Sequence, residues 1–113
     1  MQIQVVGRHI EVPEVLKKYA EEKAGRLVKY YDRIQAIEVI FQEESPSQTV
    51  EVLVTCEPSR QSFVAKETSE NFQASLDIVI GKLERQLTKY KEKLKNHKHH
   101  AKPIPDREEL PEE

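Results

Sequence analysis

A chain of 113 residues, 37 % hydrophobic and 34 % charged, has room for one domain with a small core and a short tail. Its single cysteine, Cys56, excludes an internal disulfide framework, and the absence of any run of about 18 apolar residues excludes a helical membrane span. The formal net charge of −2 hides a partition: Gly81–Lys102 holds eight basic residues against two acids, while the residues on either side of it each sum to −4.

In chain order, Gln2–Val6 alternates, with Ile3 and Val5 on one face, and reads as a half-buried strand. The opening MQIQVVGRHI lacks the apolar stretch of a signal peptide, so a cytoplasmic location is expected. Pro13 suits the first turn of a helix, and Leu16, Ala20, Ala24, Leu27 and Tyr31 then recur at helical spacing. A first helix is expected from about Pro13 to Tyr30, with Gly25 tolerated inside it. Gln35–Gln42 is a second strand, with Ile37, Val39 and Phe41 facing inward, broken by the loop Glu43–Ser47. Val50, Val52, Val54 and Cys56 alternate in a third. Gln61–Lys66 is a short fourth, with Phe63 and Ala65 as its inward pair. Ser69 is the expected N-cap of a second helix.

That second helix has the strongest pattern in the chain. Phe72, Leu76, Val79, Ile80, Leu83, Leu87, Tyr90 and Leu94 follow steps of three and four and fall within a sector of about 100°. About 26 residues give a rod of roughly 40 Å. A four-stranded sheet is only about 20 Å across, so the last turns should overhang it. Beyond His100 the pattern ends. Residues 1–100 are therefore expected to form the domain, and 101–113, with three prolines and five acids, a disordered acidic tail. The order β-α-β-β-β-α predicts an α+β fold. A parallel crossover is followed by an antiparallel meander, and both helices pack on one face of a four-stranded sheet.

The cationic rod points to a polyanion. Lys82, Lys89 and Lys93 flank its apolar stripe on one side; Lys91, Lys95 and Lys98 flank it on the other; Arg85 points away from the core. The bland alternative is a solvated helix using lysine for solubility, but ordinary surface helices mix signs, and here the excess is eight to two. Lys23, Arg26 and Lys29 form a row on the first helix. That row either faces the second helix across a positive groove or pairs with Glu21 and Glu22. Tyr30, Tyr31 and Tyr90 sit on apolar faces and are expected to pack rather than stack on bases. Cys56, alternating with valines, is expected to be buried and inert. His97, His99 and His100 lie at a helix end without a converging ligand set, so no metal site is assigned. No glycine-rich phosphate loop or nucleophile–base spacing exists, so no enzyme chemistry, cofactor or small-molecule substrate is expected.

The segment from Gly81 to His97, GKLERQLTKYKEKLKNH, together with Tyr30–Ile34 and the opening Met1–Pro13, resembles the ribosome hibernation promoting factors. This family includes the translation inhibitor protein Y and was once described as sigma-54 modulation proteins. The resemblance covers about residues 1–98 and fits a short form, without the second, dimerising domain of the long members. It implies a fold like the double-stranded-RNA-binding domain. It also implies that the protein binds ribosomal RNA of the small subunit over the messenger and transfer RNA sites, holding ribosomes silent in stationary phase or stress. RNA contact carries onto Lys23 and Arg26 of the first helix and onto Lys82, Arg85, Lys89, Lys91, Lys93 and Lys95 of the second. The expected partner is the ribosome, with no membrane, and the free protein is expected to be a monomer. The helix motif looks most like the type that promotes ribosome dimers, while the acidic tail looks like protein Y. A generic structured-RNA binder is the nearest alternative. A protein-interaction adaptor, docking an acidic partner on the overhang, is a more distant one.

Overall fold

The computed structural model describes residues 1–44, 46–57 and 60–96. The expected tail and His97, His99 and His100 lie outside these residues. Chain order is β1 (Gln2–Arg8), α1 (Glu14–Gly25), a 3₁₀ turn (Arg26–Lys29), β2 (Ile34–Glu44), β3 (Ser47–Cys56), β4 (Gln61–Ser69) and α2 (Phe72–Asn96). The fold is α+β, and the strands lie side by side in sequence order. β1 runs parallel to β2, as a crossover through α1 requires, and β2, β3 and β4 form the antiparallel meander.

Register explains why the alternation was legible. Val5, Val39, Val52 and Ala65 stand in one row across the sheet; Ile3, Ile37, Val54 and Phe63 form the next. These rows join Ala20, Ala24 and Leu27 of the first helical segment and Leu76, Val79, Ile80, Leu83 and Leu87 of α2 in a single core. Both helices therefore cover the same face, as expected, because the strands offer only one face with continuous apolar rows. On the other face, Gln4, Glu38, Leu53 and Val64 share a row, and Val64 is exposed. No described helix is long and apolar enough to cross a membrane.

The local differences from expectation have physical causes. Pro13 precedes the first helix as its N-cap, with extended backbone (φ −61°, ψ 150°), rather than standing inside the first turn. The helix itself ends at Gly25 and tightens into the 3₁₀ turn, whose Leu27 carbonyl accepts from the N–H groups of both Tyr30 and Tyr31. β4 is nine residues long, not short: Glu67–Ser69 pair along β3, although their polarity hides the strand. β2 likewise carries Glu43 and Glu44 into the hairpin. After β1 the chain doubles back so closely that a Cβ on Gly7 would stand 2.3 Å from the carbonyl oxygen of Ile10, and His9 turns through φ 67°.

Candidate nucleic-acid interface

The start of α2 is fixed by Asn71, not Ser69. The Asn71 Oδ1 accepts from the Ala74 N–H at 2.8 Å, the geometry of an N-cap bonding the third helical residue. Ser69 closes β4 instead, and its hydroxyl is 2.6 Å from that of Ser75. The buried Ser75 hydroxyl also reaches the Gln48 carbonyl at 2.9 Å, anchoring the first turns of α2 to β3. Stripe residues from Leu76 to Leu87 are then fully or nearly fully buried.

The last packed residue is Tyr90. Its ring meets Tyr31 at 5.3 Å and Phe63 at 5.2 Å, both edge-on. The tyrosines thus pack, as expected, and Tyr31 is buried. After Tyr90 the helix leaves the sheet. Every residue from Lys91 to Lys95 is exposed, including Leu94, which remains 40 % accessible although it continues the stripe. The overhang is real, and the final stripe position has no sheet beneath it.

The eight basic residues divide into two sets. Three have carboxylate partners. Lys82 Nζ lies 2.8 Å from Glu67 Oε1 on β4; Lys23 Nζ lies 3.5 Å from Asp77 Oδ1 on α2; Arg26 pairs with Glu22 one turn back at 3.7 Å. The other five, Arg85, Lys89, Lys91, Lys93 and Lys95, make no ion pair with a described carboxylate. At 3.6 residues per turn, Lys89 and Lys93 share the flank of Lys82, while Lys91 and Lys95 share that of Asp77. The free charges therefore leave the overhang on both sides.

The expected positive groove between the helices takes a different form. Lys23 does face α2, but it meets an aspartate, and the Tyr19 hydroxyl donates to the same Asp77 Oδ1 at 2.8 Å. The Lys23 ammonium also lies 5.6 Å from the centre of the Tyr19 ring. This is a clamp between helices. The hydrogen bond to Asp77, with burial and the carboxylate charge, holds the Tyr19 phenol above its usual range. Lys29 is exposed on the 3₁₀ turn, so the row Lys23, Arg26 and Lys29 does not run straight along one helix.

Two basic residues absent from the sequence-based site stand at the same end of the sheet. Arg33 precedes β2, and Arg60 precedes β4. Register places Ile34, Cys56 and Gln61 side by side, so the two arginines flank that row. The segments carrying them are tied to residue 57. The Tyr31 hydroxyl donates to the Glu57 carbonyl at 2.6 Å, and the Glu57 N–H donates to the Arg33 carbonyl at 2.9 Å. Burial raises the Tyr31 phenol above its usual range, the neighbouring Tyr90 adds to this, and the Arg33 charge opposes it. Cys56 beneath is fully buried, and burial pushes its thiol up to about 11, as fits an inert core position.

Comparison with known proteins agrees with this geometry. The family model described as Sigma 54 modulation protein / S30EA ribosomal protein matches residues 3–95. The chain is 38 % identical over 93 residues to the ribosome hibernation promoting factor of Azotobacter vinelandii, covering 82 % of this chain and 85 % of that one. It is 33 % identical over 97 residues to the factor of the same name from Escherichia coli K12, covering 86 % of this chain and all of that one. Among solved structures, a ribosomal subunit interface protein from Coxiella burnetii superposes with a TM-score of 0.74 at 28 % identity, over 81 % of this chain and 99 % of that one. The N-terminal domain of Thermus thermophilus Protein Y shares the fold, with a TM-score of 0.72 at 23 % identity over 80 % of this chain and 99 % of that one. With an apolar stripe that ends in an exposed cationic rod, and a family match that spans the described domain, the chain belongs to the Sigma 54 modulation protein / S30EA ribosomal protein family.

Proposed function

We propose that this protein is a ribosome hibernation factor: it binds the small ribosomal subunit in the cytoplasm through RNA phosphates and holds ribosomes translationally silent. Family membership and the names of its relatives support hibernation and ribosome association. The observation that carries the physical step is the set Arg85, Lys89, Lys91, Lys93 and Lys95, displayed on one rod without described carboxylate partners. Such charges displace counterions from an RNA backbone, attracting phosphate without reading sequence. Shape then selects the site.

The finer proposal is occlusion. A narrow domain with a rigid cationic rod fills the decoding region, over the messenger and transfer RNA sites. Lys23, Arg26 and Lys82 join the surface by exchanging carboxylate for phosphate. Their ion pairs are at least partly exposed and hold each partner by less than about 1 kcal/mol, so the exchange costs little. Binding is the whole of the action, with no chemical step.

Sucrose-gradient sedimentation of ribosomes with the protein tests this. Five phosphate contacts, rising to eight as the three ion pairs exchange, predict a logarithmic salt slope of about −3.5 to −7, so affinity falls roughly 100-fold or more between 50 and 200 mM salt. Arg85→Glu/Lys89→Glu/Lys93→Glu should leave the ribosome fractions while melting like the parent. A flat salt response, or a folded triple variant that still co-sediments, overturns the proposal. Equal affinity for free duplex RNA would replace it with generic RNA binding.

A further inference from the structure

The distal lysines supply attraction but little orientation. An ammonium group is a point charge on a flexible stem, whereas a guanidinium is a planar fork that matches two phosphate oxygens at once. Of the five free basic groups on α2, only Arg85 is of the second kind. Two further arginines stand at the end of the sheet near Tyr90. Both Arg33 and Arg60 are exposed, and neither makes an ion pair with another described residue.

The setting of Arg33 is tied down for a loop residue. Tyr31 is buried, and its hydroxyl is bonded to the Glu57 carbonyl, while the Glu57 N–H holds the Arg33 carbonyl. The register shift between Ile34 and Ala36 bends the start of β2 so that Ile34 turns into the core and Arg33 stays outside. Arg60 holds φ 58° immediately before its strand begins. Ile34 and Gln61 lie two strand spacings apart, roughly 10 Å. Tyr90 of α2 packs on both Tyr31 and Phe63, so the helix leaves the sheet beside this platform. Asp32 and Glu57 are the nearby acids, and both are exposed and free of ion pairs with the described residues.

We infer that Arg33 and Arg60 form a second phosphate-binding arm, which grips the backbone of folded RNA beside the stretch bound by α2 and sets the orientation of the domain on it. The ligand class is phosphodiester, and two guanidinium groups carried beside strand positions two spacings apart engage two separated phosphates. This inference rests on the ribosome reading of α2 and adds a contact region to it. The helix brings the domain to RNA; the platform sets the angle at which it docks.

The test measures affinity for small ribosomal subunits across salt, with Arg33→Glu/Arg60→Glu beside Arg85→Glu/Lys89→Glu/Lys93→Glu. The platform variant is expected to bind at least about 10-fold more weakly, and its salt slope should be shallower by about 1.5, the loss of two phosphate contacts. Arg33→Lys/Arg60→Lys should keep the parent slope yet bind about threefold more weakly, because charge persists while the fork is lost. Arg33→Gln alone, with its melting curve, serves if the double variant does not fold, and should make the slope shallower by about 0.7 to 0.9. Parent affinity and slope in the folded platform variants, with binding lost in the α2 variant, overturn the platform alone. Binding retained in both overturns the α2 phosphate interface, and no binding by the parent overturns the ribosome reading itself.

Discussion

The two halves of α2 share one apolar stripe, yet they live under different rules: the proximal half mixes charge signs, and the distal half is rich in lysine. From Phe72 to Leu87 the stripe lies against the sheet, and two charges on its flanks are answered: Asp77 by Lys23 and Tyr19, Lys82 by Glu67. From Lys89 onward the flanking charges have no described carboxylate in reach, and Leu94 stays largely in solvent. Packing explains the division. Where the helix lies on other elements, their side chains approach its flanks and can carry opposing charge. Where it passes the sheet, no described carboxylate pairs with its flanks. The proximal half thus holds the domain together, and the distal half is free to meet a partner.

The strongest way to break that contrast is to truncate the same residue type in each half. Leu83→Ala removes a fully buried side chain and should cost about 2–5 kcal/mol in urea melts. Leu94→Ala should stay within about 0.5 kcal/mol. Comparable losses would mean the distal half is packed after all. Alkaline titration comes next. Cys56, at about 11 when folded against 9.0 when unfolded, keeps its proton more tightly in the native state. Tyr19 and Tyr31 are raised in the same direction. The Cys56 effect is complete below about pH 9, is lost as pH rises toward 11 and is worth about 2–3 kcal/mol, while the tyrosines add a loss that begins only above about pH 10. Cys56→Ser should flatten the limb between pH 9 and 11, and an unchanged limb would contradict the buried thiol.

A smaller effect separates the two hydroxyl and amide candidates at the helix start. Asn71→Ala should cost about 1 kcal/mol, since the Ala74 N–H loses its acceptor, whereas Asn71→Gly should cost only a few tenths more than the parent. Least of all, Lys82→Met should change stability by less than about 1 kcal/mol through the loss of Glu67, and Lys93→Met by nothing measurable. In ribosome binding Lys93→Met should still make the salt slope shallower by about 0.7 to 0.9.

The sequence announced the strands through alternation at Ile37–Phe41 and Val50–Cys56, and α2 through its eight-residue stripe, because burial on a single face imposes those periods. It was silent where polarity masks pairing, as at Glu67–Ser69, which β3 holds through Gln48–Val50. The 3₁₀ turn was hidden because Ala24 and Leu27, three apart, suit either helical spacing. Ser69 and Asn71 are both good capping residues two positions apart, and only the end of β4 decides between them. For the interface, the charge excess of α2 was plain, but its division into paired and free groups was not. Asp77 and Lys23 are 54 residues apart, and Glu67 and Lys82 meet only because α2 crosses β4. Arg33 and Arg60 belong to loops 27 residues apart, so their adjacency exists only through the register of three strands.

The departure of α2 from the sheet after Tyr90 has an evolutionary corollary. Because side chains beyond that point hold so little of the fold, they can be exchanged, added or removed with almost no folding penalty. Attraction to a polyanion could then be retuned for a saltier or more dilute cell interior one residue at a time, while the scaffold behind it stays intact.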